Sequence, residues 1–255
     1  MGGGDVRCKD DKRHVVFAAD IARGPRGIGW EDKMQGEGMD RHEEMTQRIA
    51  RLEDRLGRLE DIEEIQRLQR MYGYYIDNRL WPEMAALFAD EGAAMEIGRR
   101  GRYTGKEHIL PFLREVLGQG RDGLARNEFI NHMQLQGVVT VDHSRQRAQG
   151  RWRALIQGSP PPGGTAMLWA EGVYENTYVR ENGVWKIALL WWVPTFYVSH
   201  PGYESVSFAS GPQSDSLPPQ APSVPPVAAL GRSFPPFHYC HPVTGEEVVR
   251  VTSEP

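Results

Sequence analysis

Residues 62–81 read IEEIQRLQRMYGYYIDNRLW. Ile62, Ile65, Leu68, Met71/Tyr72 and Tyr75/Ile76 recur at steps of three and four, which lays one apolar stripe along a helix down to its last turn. Asp77 closes that stripe. Asn78-Arg79-Leu80 then leads to Trp81-Pro82-Glu83, where proline near a first helical turn costs little and opens a second, short helix, ended by Asp90-Glu91-Gly92. An acid therefore stands where an amphipathic helix meets whatever its aromatic residues cover.

Upstream of this stretch, Met45, Ile49, Leu52, Leu56 and Leu59 alternate steps of four and three from Arg41 onward, a short heptad seam flanked by charges. Such a seam suits either a helix lying on its own domain or one that self-associates, and its few heptads are marginal alone. Residues 1–40 mix glycine, charge and scattered apolar residues without a period, so they are expected to be a disordered or non-native leader.

Downstream, Ala94 to Ile97 is a short strand candidate, Arg99 to Gly105 a turn into a further strand end, and Lys106 to Leu117 a helix closed by Gly118. Four longer runs then read as strands: Phe129 to Val141, Arg147 to Gln157, Ala166 to Val179 and Val184 to Val198. They are rich in Val, Trp, Tyr and Thr, and Asn182-Gly183 between the last two signals a hairpin. About three helices followed by an antiparallel sheet make an α+β fold spanning residues 41–208. Residues 209–255 form a Pro-rich tail, whose Phe234, Phe237, His238, Tyr239 and His241 are costly to leave in water, so the tail is expected to dock.

A net charge of -4 and a pI near 6.1 offer no basic footprint for nucleic acid. Cys8 and Cys240 are the only cysteines, each in an expected tail, which points to a reducing compartment without a disulfide framework. No apolar run is long enough to span a membrane and the N-terminus lacks an apolar signal core, so a soluble cytoplasmic protein is expected.

The order of these features resembles the SnoaL-like branch of the nuclear transport factor 2-like superfamily, which includes scytalone dehydratase. The resemblance rests on Tyr72, Asp77 and Trp81, Leu87-Phe88-Ala89-Asp90, Tyr103-Thr104-Gly105, Asn131-His132, and Tyr174-Glu175-Asn176 leading to Gly183-Val184-Trp185-Lys186-Ile187. It covers about residues 60–200. It implies a cone-shaped, curved antiparallel sheet around a deep pocket, a cystatin-like α+β barrel, with chemistry that needs no metal or organic cofactor. It also implies a homo-oligomer, dimer or trimer, binding a small-molecule aromatic substrate.

By the same similarity, Asp77 and His132 fall at a catalytic aspartate–histidine pair, Glu96 near a pocket tyrosine and Tyr174 near a pocket asparagine. A second pocket histidine expected near Gln157 or Gly158 is absent. The residues support the pair independently, because an imidazole titrates near neutrality and a carboxylate can hold one tautomer while the other nitrogen faces substrate. A strand histidine standing alone is more often a hydrogen-bonded core residue. If Tyr174 faces in, alternation puts Ala170, Gly172 and Asn176 on its face, and the same similarity implies that Leu190, Trp192 and Pro194 turn inward. Tyr174 and Trp192, with Tyr72 or Tyr75, would make an aromatic wall for a flat ligand. Among Arg99, Arg100, Arg102, Arg151 and Arg153, most read as solvated strand-end charges; Arg153 is the candidate for holding a phenolate or carboxylate. No clustered metal-ligand spacing, nucleophile elbow or phosphate loop occurs.

The expected function is a cofactor-independent lyase that uses His132 and Asp77 for general acid–base work on a bulky phenolic substrate, releasing formaldehyde or water. Lignin-derived diaryl compounds are the sharper expectation, since γ-formaldehyde lyases for such dimers are similar proteins of the superfamily. A SnoaL-like isomerase, cyclase or hydratase, or a non-catalytic binding module, are the alternatives.

Overall fold

The computed structural model describes residues 31–160, 164–202, 216, 220, 226–227, 229–230, 232–233, 235 and 237–249. Helix α1 runs from Glu31 to Asp77, so it begins before Arg41 and takes in the end of the expected leader, the rest of which lies outside the described residues. Of the described residues, those up to Glu60 belong to one compact unit and those from Asp61 onward to another. In the first, the side chains of Met45, Ile49, Leu52, Leu56 and Leu59 are all exposed.

The second unit carries the remaining elements: α2 (Trp81–Ala86), β1 (Ala94–Ile97), β2 (Arg102–Thr104), α3 (Lys106–Pro111), β3 (Ile130–Val141), β4 (Arg147–Gly158), β5 (Ala166–Glu181), β6 (Val184–Pro201) and the small pair β7 (Pro226–Val227) and β8 (Arg232–Ser233). The main sheet is curved, with strand order β2-β1-β6-β5-β4-β3. Its two edges, β2 and β3, do not pair, so the sheet is open rather than a closed barrel. The β3 to β6 strands are antiparallel as expected, but β1 joins β6 in parallel, with Ile97 opposite Trp192. A four-residue strand carries no sequence signal of its direction, which is why the sheet is mixed where alternation alone suggested antiparallel.

The helix expected over Lys106–Leu117 divides at Pro111. Proline cannot donate to the helical ladder, and from Phe112 to Leu117 the turns widen to a π-helix, with Gly118 N–H reaching Leu113 O at 2.8 Å.

From Asp61 onward α1 crosses the sheet and is pinned at four levels. The buried Asp61 carboxylate accepts from Arg145, Arg180 and the Trp185 indole; hydrogen bonds and nearby guanidinium charge outweigh burial and hold its carboxyl below the usual range. Two turns on, Gln69 Oε1 accepts from Tyr178 and Asn176, and its amide donates to Gln134. Gly73 then lets the helix backbone approach β3: a Cβ there would lie 3.0 Å from Gln134 Cγ and 3.1 Å from the His132 carbonyl oxygen. At the fourth level Asp77 meets His132 itself. Between these anchors lies the core, in which Ile65, Leu68, Tyr72, Trp152, Tyr174, Tyr178, Trp185 and Ile187 are fully or nearly fully buried.

The tail beyond β8 packs on the other flank of α1. Phe237 lies edge-on to Tyr74 and Tyr75, and the His241 ring stacks on Tyr75 with centroids 5.4 Å apart; Val248 and Leu230 are also buried. Phe234 lies outside the described residues. Cys240 is disulfide-bonded, and no described cysteine is free, contrary to the expectation of two reduced thiols. Among the described residues no helix is long and apolar enough to cross a membrane.

Candidate active site

A cavity of about 910 Å³ opens on the inner side of the sheet, walled by the end of α1, by α2, and by inward-facing residues of β1 and β3 to β6. Its position follows from how α1 stops. Arg79 takes the left-handed backbone conformation (φ 52°), and Leu80 N–H turns back to Tyr75 O at 2.9 Å, an ending usually given to glycine. The turn leaves Asp77 as the last helical side chain, facing β3.

There, Asp77 Oδ1 accepts two hydrogen bonds from one residue: the His132 backbone N–H at 2.6 Å and the His132 ring at Nδ1, 3.1 Å away. A carboxylate only accepts, so Nδ1 carries the proton and Nε2 keeps its lone pair. His132 lines the cavity while only 8 % exposed, and its Nε2 has no hydrogen-bond partner among the described residues. Gln134 Nε2 donates to the His132 carbonyl at 3.0 Å, tying the strand into the buried amide and hydroxyl network of Gln69, Asn176 and Tyr178.

Beside this pair, Tyr72 and Tyr174 bring their hydroxyls to 3.2 Å with rings edge-on. Burial first, and then nearby negative charge including that of Asp77, pushes both phenols well above their ordinary range, so both stay neutral hydrogen-bond donors at physiological pH. Trp192 completes the wall. Gly172 makes room for it, since a Cβ there would stand 2.5 Å from Trp192 Nε1. That indole N–H is buried and without an acceptor among the described residues.

The other expected site residues lie elsewhere. Tyr75 is fully buried under the C-terminal tail, not in the cavity. Tyr72 and Ile76, one turn apart, face the cavity together, whereas Tyr75 belongs to a second apolar stripe whose covering comes from far along the chain. Glu96 falls between Met95 and Ile97, both of which line the cavity; strand alternation sends it to the opposite face, where it lies 3.6 Å from Arg102. Arg153 is on the outer face of β4, bonded to Gln136 and Glu171, because Trp152 and Ala154 take the buried positions on either side. His200 is exposed and outside the cavity.

Two residues not anticipated from the sequence also line the cavity. Arg79 and Glu128 form a buried ion pair, to which Arg121 adds two hydrogen bonds and the Ala125 amide a third. Burial works to raise the Glu128 carboxyl, but these donors and the Arg79 charge hold it below the usual range. No three histidine, cysteine or acidic side chains converge as a metal site among the described residues.

A model of the SnoaL-like domain matches residues 57–190. Among solved structures, hexachlorocyclohexane dehydrochlorinase LinA-type3 from Novosphingobium barchaimii LL02 is 23% identical with a TM-score of 0.50, covering 59% of this chain and 97% of its own. A structure of LinA gives 22% identity and a TM-score of 0.51, covering 62% and 99%. A type 2 dehydrochlorinase gives 24% and 0.50, covering 58% and 93%. These likenesses speak for the fold. No curated protein matches the chain.

Proposed function

We propose, from the premise that this chain belongs to the SnoaL-like domain family, that it is a cofactor-independent lyase acting on a bulky phenolic substrate of the diaryl class. The observation that carries the reading is the Asp77–His132 contact of 3.1 Å, which fixes the imidazole tautomer and leaves a basic nitrogen at the wall of an aromatic-lined cavity. A lone pair at Nε2 can take a proton from a substrate hydroxyl, and Asp77 offsets the positive charge that develops on the ring.

With a diaryl-propanediol, Nε2 accepts the proton of the terminal hydroxyl. The electron pair of the bond between the hydroxymethyl carbon and the central carbon moves to form the new double bond, and hydroxide departs from the benzylic carbon, taking up the proton from the imidazolium. Formaldehyde, a stilbene and water are the products, and nothing is oxidised or reduced overall. Tyr72 or Tyr174, kept protonated by burial, suits donation of a hydrogen bond to the departing oxygen, while Trp192 offers a flat surface for a ring. Simple loss of water from a related substrate uses the same groups. Within the same reading, the exposed Trp169, Trp191, Val193 and Phe196 favour a homo-oligomer.

The test is incubation with phenolic diaryl-propanediols, following formaldehyde and stilbene together. Stoichiometric release of both supports the lyase. Turnover that survives His132→Ala in a folded protein removes the assigned base, and binding without turnover of any diaryl alcohol makes the domain a binding module.

A further inference from the structure

The mouth of the cavity carries two guanidinium groups without partners among the described residues. Arg99 and Arg100 line it and their side chains have neither ion pair nor hydrogen bond among the described residues. Arg79, also in the lining, has a buried Nε without an acceptor among the described residues. The backbone places the two mouth arginines beside the cavity wall: Ile97 pairs with Trp192 across β1 and β6, and the next residues, Gly98–Arg100, form the turn that carries them. The turn is seated closely, since Gly98 has a φ of 46° and a Cβ there would lie 3.1 Å from Pro194, itself in the lining.

Negative charge does not balance them. Among the described residues Glu128 is the one carboxylate in the lining, and it is shared between Arg79 and Arg121, which leaves that cluster with an excess positive charge. The Asp77 carboxylate is engaged by His132. Arg99 and Arg100 are exposed at the mouth, and the low-dielectric walls beside them focus their field onto whatever enters.

We infer that the ligand of this cavity is an aromatic compound bearing an anionic group, with a carboxylate as the planar anion that a guanidinium fork fits, and that Arg99 and Arg100 hold it at the mouth while the ring enters toward Tyr72 and Tyr174. This specificity rests on the aromatic-ligand part of the proposed function but not on the lyase step.

It is tested by binding, without turnover, in the full chain and in its His132→Ala variant. The probes are a hydroxystilbene bearing a para-carboxylate and its matching carboxamide, titrated against intrinsic tryptophan fluorescence and by calorimetry. The carboxylate is expected to bind about tenfold more tightly than the carboxamide, with the advantage falling as salt is added. In R99Q/R100Q the advantage disappears while carboxamide affinity is unchanged. Equal affinity of the two probes, an advantage that survives R99Q/R100Q, or no binding of either probe at millimolar concentration overturns the inference. A carboxylate preference in a protein that releases no formaldehyde would sustain it while removing the lyase reading.

Discussion

His132 and His241 are both buried, at 8 % and 3 % exposure, and each has its tautomer set by fixed neighbours, but they use their ring nitrogens differently. At His241, Nε2 lies 2.8 Å from the Glu83 carbonyl and Nδ1 accepts from the amides of Val243 and Thr244, each at 3.1 Å. A carbonyl only accepts and an amide only donates, so His241 is the Nε2–H tautomer with both nitrogens engaged. At His132 the proton is on Nδ1, and Nε2 has no partner among the described residues. A histidine with every hydrogen-bonding group engaged holds structure together. One with a group to spare, at a cavity wall, can do chemistry.

The largest effect expected from this contrast is on turnover. His132→Ala should lower kcat for diaryl-propanediol cleavage by roughly 10²- to 10⁴-fold with an unchanged unfolding transition, checked by formaldehyde release alongside circular dichroism. Asp77→Asn should cost less, about 10- to 100-fold, because an amide oxygen can still orient the ring but brings no charge to stabilise the imidazolium. Equal losses in the two variants would mean that the carboxylate has a part of its own beyond orientation.

His241→Ala should do the reverse, leaving turnover per folded molecule intact while lowering stability by about 2 kcal/mol, read as an earlier denaturation midpoint. The His241 site should also respond to acid. Burial lowers the imidazole pKa, with the Glu83 carbonyl and the Glu83 and Glu246 charges offsetting only part of this. A folded-state pKa below the unfolded one means the unfolded chain binds the extra proton first. The contribution of His241 is therefore complete above the ordinary imidazole value of about 6.5 and is lost as pH falls below it. Stability of the wild type should drop over that window, and His241→Ala should flatten the drop; parallel curves for the two proteins would show that His241 is not the titrating group. The smallest effect belongs to Tyr75, whose hydroxyl is buried without a partner. Tyr75→Phe should be neutral or stabilising by up to about 1 kcal/mol, with turnover unchanged, in contrast to Tyr72→Phe in the cavity.

The same contrast explains what could be read from the residues. The stripe from Ile62 to Ile76, the acid at its end and the strand run around His132 are short-range patterns, and α1 and the long strands follow from them, whereas the pairing of Asp77 with His132 comes from the family resemblance. Tyr75 was misplaced because a helix with two apolar stripes does not reveal which stripe faces the sheet and which awaits a distant tail. Glu96 and Arg153 were misplaced by one residue of strand register, the smallest shift that moves a side chain to the opposite face. Arg79 and Glu128 meet only after a left-handed turn and a long loop bring them together, and neither feature has a local pattern. Parallel pairing of β1 and the Cys240 disulfide are likewise settled by chain geometry far from the residues themselves.

The account stands most directly on the protonation pattern of two rings. In protein labelled with nitrogen-15 at histidine, with the His132 and His241 signals identified by their loss in the His132→Ala and His241→Ala variants, multiple-bond proton–nitrogen correlation above neutral pH separates the two tautomers. His132 should appear with a protonated Nδ1 and a bare Nε2, and His241 with the opposite arrangement. A His132 ring protonated at Nε2 would have no base to offer the cavity and would contradict the mechanism.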